Sequence, residues 1–165
     1  MSFSLIPKIT VPDIFAVTPE RLRAWGITLL CLDLDNTLSP YSEDLPPEEV
    51  LDWMEELKAA GVALYMISNS RKNRRVDDYA NACGIPFIKC AGKPSPKALI
   101  AAMEQMGKIP AETALIGDQI FTDGIAANRA GVLSIVMEPV EMNLFFRLRY
   151  MIEQPLRARA KERLR

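Results

Sequence analysis

Five short apolar runs, most of them carrying a polar residue at or near the end, alternate with segments of helical period. The runs are ITLLCLDL (27–34), VALYMISN (62–69), IPFIKC (85–90), TALIGD (113–118) and VLSIVM (132–137). They have strand length, and they are too continuously apolar for strands with one wet face. Between them lie PPEEVLDWMEELKAAG (46–61), RKNRRVDDYANACG (71–84), KALIAAMEQMG (97–107) and TDGIAANRAG (122–131), each closed by a glycine. In the first of these, Val50, Leu51, Met54 and Leu57 recur at helical spacing behind two prolines, which suit the start of a helix. Strands joined through helical crossovers are parallel and buried on both faces. The pattern therefore predicts a three-layer α/β/α, Rossmann-like parallel sheet. No linker, repeat or low-complexity stretch interrupts it, and 165 residues suffice for one proper core.

Open parallel sheets bind ligands at the carboxyl ends of their strands. The residues left there are informative. The first run deposits Asp33 and Asp35, the second Ser68 and Asn69. The GKPSP after the third brings Lys93, and the fourth leaves Asp118 with Asp123 in the following loop. Carboxylates are poor strand formers and costly to desolvate, so their gathering at the mouth of the core calls for a function. Crowded acids raise one another's pKa, and a hard divalent cation relieves this; Mg²⁺ takes one or two carboxylates together with waters and a substrate phosphate. A metal beside Lys93 suits a phosphoryl group, and Ser68 can donate hydrogen bonds to its oxygens. The chain has no histidine, which excludes Ser-His-Asp and Cys-His nucleophile systems and every histidine metal site. The natural nucleophile is then a carboxylate, attacking to give an aspartyl phosphate.

Each feature alone has a structural explanation. A single D-x-D is commonly a solvated turn, Ser68 or Asp118 can cap a helix, and Asp123 can cap the one starting near Thr122. Lys97 competes with Lys93 and, failing that, is an exposed first-turn residue. Gly117 fits a place where a strand end is crowded. Four such coincidences in order along one sheet rim favour function.

DLDNTL, ISNS, GKPSP and GDQIFTD together resemble the four motifs of the haloacid dehalogenase (HAD) superfamily of phosphohydrolases, over the span Ile27 to Met137. The resemblance implies a HAD-like fold with Asp33 as nucleophile. It gives Asp35 the role of proton donor and then base, with its backbone carbonyl on Mg²⁺, and Thr37 as a brace. Ser68 and Asn69 would sit at the phosphoryl group, Lys93 would neutralise it, and Asp33, Asp118 and Asp123 would lie at the metal. Lys93-Pro94 supplies the superfamily's usual K-P pair. The overall pattern also resembles the YqeG group, which is similar to mitochondrial phosphatidylglycerophosphate phosphatases. This implies a phosphomonoester hydrolase working on a lipid head group. The alternatives are a phosphatase for soluble sugar phosphates or nucleic-acid ends, and a non-hydrolysing phosphoacceptor or interaction module.

Thirty-three residues separate Asp35 from Ser68, and twenty-five separate Ser68 from Lys93. Neither gap has room for a substrate-selecting cap domain. An open, capless site favours a large substrate, one held at a surface, or closure by a neighbouring subunit in a homo-oligomer. Residues 139–165 carry seven basic side chains and three acids, a surplus of +4 that leaves the rest at −5 within an overall −1. We expect a core at 1–138 and a basic amphipathic tail at 139–165, within the same domain or docked on its surface. Pro155 is expected to break or kink the tail's helix. The tail either packs its apolar part on the body or reaches an anionic membrane surface. Nucleic acid is disfavoured, because the basic distal half lacks interleaved aromatics. No apolar run is long enough to span a bilayer and no secretory signal is evident, so the expected location is cytoplasmic, with peripheral contact at the inner face of the membrane as an extension. Cys31, Cys83 and Cys90 read as buried, reduced thiols.

Overall fold

The computed structural model describes residues 4–71 and 74–164. Lys72 and Asn73, inside the segment expected to be helical from position 71, and Arg165 of the basic tail lie outside the described residues. The elements run β1 (Ile9–Val11), α1 (Pro19–Ala24), β2 (Leu29–Leu32), α2 (Glu48–Ala59), β3 (Ala63–Ile67), α3 (Arg75–Cys83) and β4 (Phe87–Ile88). They continue with α4 (Lys97–Met106), β5 (Thr113–Gly117), α5 (Ile125–Ala130), β6 (Leu133–Met137), α6 (Leu144–Arg157) and β7 (Glu162–Arg163).

All seven strands are parallel, in the order β4-β3-β2-β5-β6-β1-β7. Strand side chains alternate between the two faces, and the helices divide accordingly. Leu30, Leu32, Leu64, Met66, Ala114 and Ile116 share one buried cluster with residues of α1, α2 and α3, among them Leu22, Met54, Leu57, Val76 and Tyr79. Leu29, Cys31, Tyr65, Ile67 and Leu115 share the other with Leu99 and Ala102 of α4 and Ala126 and Ala127 of α5. The predicted three-layer architecture is thus present. Gly84 and Gly107 stop α3 and α4 in the left-handed conformation, at φ 63° and 62°, as their place after each helical run implies.

Three features differ from the sequence reading. Strands β1 and β7 extend the sheet beyond β6, with Ile9 opposite Ile135 on one side and Glu162 on the other. One is three residues long and the other two, too short to carry a period. α6 does not end at Pro155; it runs on to Arg157. Cys90 is exposed, while Cys31 and Cys83 are buried.

The chain leaves β2 for β3 on one side and comes back to β5 on the other. The reversal opens a crevice at the carboxyl ends of β2 and β5, where the acidic residues lie.

Candidate active site

Asp33 extends the β2–β5 ladder by one bond, its N–H donating to the Ile116 carbonyl at 3.0 Å. One carboxylate oxygen then accepts from Lys93 Nζ at 2.6 Å and the other from Thr37 Oγ1 at 3.1 Å. Lys93 Nζ donates a second bond to Asp123 at 2.6 Å and a third to the Ile67 carbonyl at 2.8 Å, so all three of its protons are engaged. Lys97, the competitor, is exposed on α4. Asn69 holds the Lys93 backbone at both polar atoms, donating to its carbonyl at 2.9 Å and accepting from its N–H at 2.8 Å. Ser68 is buried, with its hydroxyl oxygen accepting from the Ser70 N–H at 3.0 Å.

Asp123 rises from the turn after β5 and accepts from the Gln119 N–H at 3.2 Å and from Thr122. Its carboxylate lies over Gly117, where a Cβ would come within 2.6 Å of the Asp123 Cβ. This is the crowding that the glycine implied. Asp118 completes the group: one carboxylate oxygen from each of Asp33, Asp118 and Asp123 falls within a mutual 4.8 Å. Both Asp118 side-chain oxygens are buried and, among the described residues, accept no hydrogen bond; Arg149 lies 3.7 Å away.

The electrostatics follow from this geometry. Burial pushes the Asp33 carboxyl up to about 7; Lys93 opposes the shift, while the charges of Asp123 and Asp35 add to it. Burial, then Asp33 and Asp123, hold the Asp118 carboxyl well above the usual carboxylate range. For Lys93 burial works against the charge, but Asp123 and Asp33 outweigh it and raise the ammonium pKa. The cluster is short of positive charge and has oxygen atoms without donors. A hard divalent cation with oxygen ligands fits both deficits.

Asp35 stands apart. Its carboxylate pairs with Arg75 at the start of α3, a buried side chain that also donates to the carbonyls of Glu43 at 2.8 Å and Pro40 at 2.7 Å. Arg75 thereby ties the segment after the first motif to the second acid of D-x-D. Asn36, immediately after Asp35, adopts φ 61°. Its side chain donates to the Glu141 carbonyl at 2.8 Å and accepts from the Glu141 N–H at 2.7 Å, joining this loop to the approach to α6.

The resulting pocket, of ≈ 420 Å³, is lined by Asp33, Asp35 and Lys93 at the polar end and by Tyr41, Phe146 and Arg149 at the wall. Tyr41 stacks on Phe146 at 5.7 Å, and the Arg149 guanidinium sits 4.7 Å from the Phe146 ring centre. Two of these wall residues belong to α6, which the sequence reading treated as separate from the site. α6 is anchored by charge. Glu153 accepts from the Ile120 N–H at 2.9 Å, and Arg157 donates to Glu153 at 2.9 Å and to the carbonyls of Asp118 and Met137. Arg75, Arg149 and Arg157 gave no signal in sequence, since neighbouring arginines of the same segments look alike. Asn36 had one, an asparagine at a turn within the first motif.

Fold and site together define an α/β protein with an acidic, cation-ready centre at the carboxyl rim of a parallel sheet. The haloacid dehalogenase-like hydrolase family matches residues 40–131. Over 135 residues the chain is 36% identical to "Probable phosphatase YqeG" of Bacillus subtilis, covering 82% of this chain and 78% of that protein. It is 31% identical over 144 residues to "Phosphatidylglycerophosphate phosphatase 1, chloroplastic" of Chlamydomonas reinhardtii, covering 82% of this chain and 53% of the relative, about half its length. A crystal structure of 3-deoxy-D-manno-octulosonate 8-phosphate phosphatase from Moraxella catarrhalis, holding magnesium, phosphate and KDO, superposes with a TM-score of 0.55. That match has 20% identity and covers 80% of this chain and 88% of the other, a likeness of fold. The chain belongs to the haloacid dehalogenase-like hydrolase family, as its four motifs indicated. Its enzyme class is that of the family's phosphatases, the phosphoric monoester hydrolases.

Proposed function

We propose that this chain hydrolyses phosphomonoesters through an aspartyl phosphate on Asp33, with Mg²⁺ as cofactor, and that its substrate is a lipid phosphate of the phosphatidylglycerophosphate kind. One observation carries the reading: three buried carboxylates converge within 4.8 Å beside Lys93, and one of them, Asp118, has no hydrogen-bond donor at either oxygen among the described residues. Asp33, Asp118 and Asp123, with the Asp35 main-chain carbonyl, would hold the cation. When bound, it would offset the carboxylate charge and the negative charge of the phosphoryl oxygens.

An Asp33 oxygen forms the new bond to phosphorus while the ester P–O bond breaks, and the leaving oxygen takes its proton from Asp35. Asp35, now a carboxylate, removes a proton from water; the water oxygen attacks phosphorus, the bond to Asp33 breaks, and inorganic phosphate departs. Arg75 holds one Asp35 oxygen and leaves the other for the proton. Thr37 and Lys93 fix the Asp33 carboxylate for in-line approach. Ser68 and Asn69 have different parts. The Ser68 hydroxyl donates to the phosphoryl group, and Asn69 acts through Lys93, whose backbone it clamps. Residues 1–138 and 139–165 work as one unit, because α6 supplies pocket wall.

Relatives named for phosphatidylglycerophosphate and an open mouth with an aromatic and arginine wall support the lipid reading over a soluble sugar phosphate. The test is phosphate release by wild type and Asp33→Asn, with Mg²⁺ and with a chelator. The substrates are an aryl phosphate, a panel of sugar phosphates and phosphatidylglycerophosphate in vesicles. Asp33→Asn is expected to abolish Mg²⁺-dependent release on all of them, with the lipid the best substrate of wild type. Full activity in the variant, or none in wild type with any divalent metal, overturns the mechanism; preference for a sugar phosphate overturns the substrate.

A further inference from the structure

α6 is amphipathic in the reverse of the usual sense. Its buried side chains are Phe146, Glu153 and Arg157. Leu144, Phe145, Leu148, Met151 and Ile152 are between 58% and 83% exposed. These five positions follow helical spacing and form one continuous stripe, of the kind a surface helix ordinarily turns towards its core. The helix cannot roll to bury it. Glu153 and Arg157 face inward, where they bond to the Ile120 N–H and to the Asp118 and Met137 carbonyls; rolling would strip those groups of their partners. The buried ion pair thus keeps the apolar stripe facing outward. Two exposed apolar residues on the approach, Val140 and Met142, prolong the apolar surface.

Glu141, between Val140 and Met142, is exposed, but along the helix itself the exposed charge has one sign. Between Met142 and Lys161 the sole acid is Glu153, which is buried, whereas Arg147, Arg159 and Lys161 are exposed. The stripe also reaches the pocket, for Phe145 is both a stripe residue and a lining residue of the catalytic mouth. We infer that this face of α6 docks on the anionic surface of a lipid bilayer, with Leu148, Met151 and Ile152 entering the head-group boundary and the pocket mouth held at head-group level. Such a face, apolar along one stripe and flanked by arginine, matches that surface in both hydrophobicity and charge. A second copy of the chain fits less well: a two-fold contact through this face would bring cations against cations without an exposed acid on the helix, and would cover the mouth at Phe145. The docking element is the α6 part of the 139–165 tail and not its distal basic end. Arg157 is buried there, and Glu162 and Arg163 are paired to β1. The inference leans on the phosphatase reading only for what the docking accomplishes, namely bringing a bilayer-borne phosphate to the mouth.

The test is flotation of the full chain with vesicles of phosphatidylcholine and phosphatidylglycerol in equal parts, comparing wild type with L148Q/I152Q. Both positions are exposed and outside the pocket, and glutamine preserves helix propensity. Wild type is expected to float, more weakly on phosphatidylcholine alone and at high salt. The double variant is expected to lose binding by about tenfold or more, with unchanged circular dichroism and unchanged hydrolysis of a soluble aryl phosphate. Asp33→Asn is expected to float like wild type, which separates docking from turnover. Wild type that stays with the soluble fraction, a double variant that floats equally well, or a dimer that the double variant dissolves would each overturn the inference.

Discussion

Replacing Arg157 with methionine tests whether a buried ion pair holds the C-terminal helix to the catalytic rim. The Arg157 side chain is 3% exposed and that of Glu153 1%. Methionine fills much of the volume but removes the charge opposite Glu153 and the donors to the Asp118 and Met137 carbonyls. Breaking a buried pair by deleting one partner costs about 3–5 kcal/mol, because the other charge stays buried without compensation. Glu153 keeps the Ile120 N–H, and a second, longer contact with the Phe121 N–H at 3.5 Å, so the lower end applies. A loss of about 3 kcal/mol in a chain of this length corresponds to a fall of about 6–12 °C in Tm. Equilibrium unfolding in urea, which leaves ionic interactions unscreened, gives the free energy, and calorimetry gives Tm. E153Q/R157M is expected to be more stable than R157M alone, since a glutamine carbonyl can still accept from Ile120 without a stranded charge. The reasoning fails if R157M stays within about 1 kcal/mol of wild type, or if the double variant is less stable than R157M.

Two further outcomes follow from the site. Gly117→Ala puts a methyl group where the Asp123 carboxylate lies, so Mg²⁺ affinity measured by calorimetric titration is expected to fall sharply; unchanged affinity would mean that Asp123 does not contribute to the cation site. Arg75→Met removes the partner of Asp35, and turnover of an alkyl phosphate, whose leaving oxygen needs a proton, is expected to drop far more than turnover of an activated aryl phosphate. Equal losses on both would reduce Arg75 to a packing role.

The central sheet was legible because β2, β3, β5 and β6 are apolar runs bounded by helical segments, a pattern with no other good solution. β1 and β7 were not, since ITV ahead of a proline and a polar dipeptide near the chain end carry no period. The acidic rim was legible for the same reason as the sheet: once the strands are placed, their carboxyl ends are placed too. What sequence did not disclose is which charged residues turn inward. Arg157 sits in a segment that reads as a solvated basic tail, yet it is buried, and Arg75 follows directly on Arg74 with nothing local to distinguish them. Pro155 does not break the helix, for a related reason. A proline costs a helix a backbone hydrogen bond, but Glu153 and Arg157 on either side of it are fastened to the body by side-chain bonds that local sequence does not display.

The clasp at Asn36 has a mechanical consequence. A single amide side chain grips both polar atoms of the Glu141 peptide across 105 positions of chain, and it does so from the residue next to Asp35. The stretch feeding the outward-facing helix and the loop bearing the proton-handling acid are therefore coupled like two arms of one lever. Whatever surface α6 comes to rest on, the load is borne one peptide away from the chemistry.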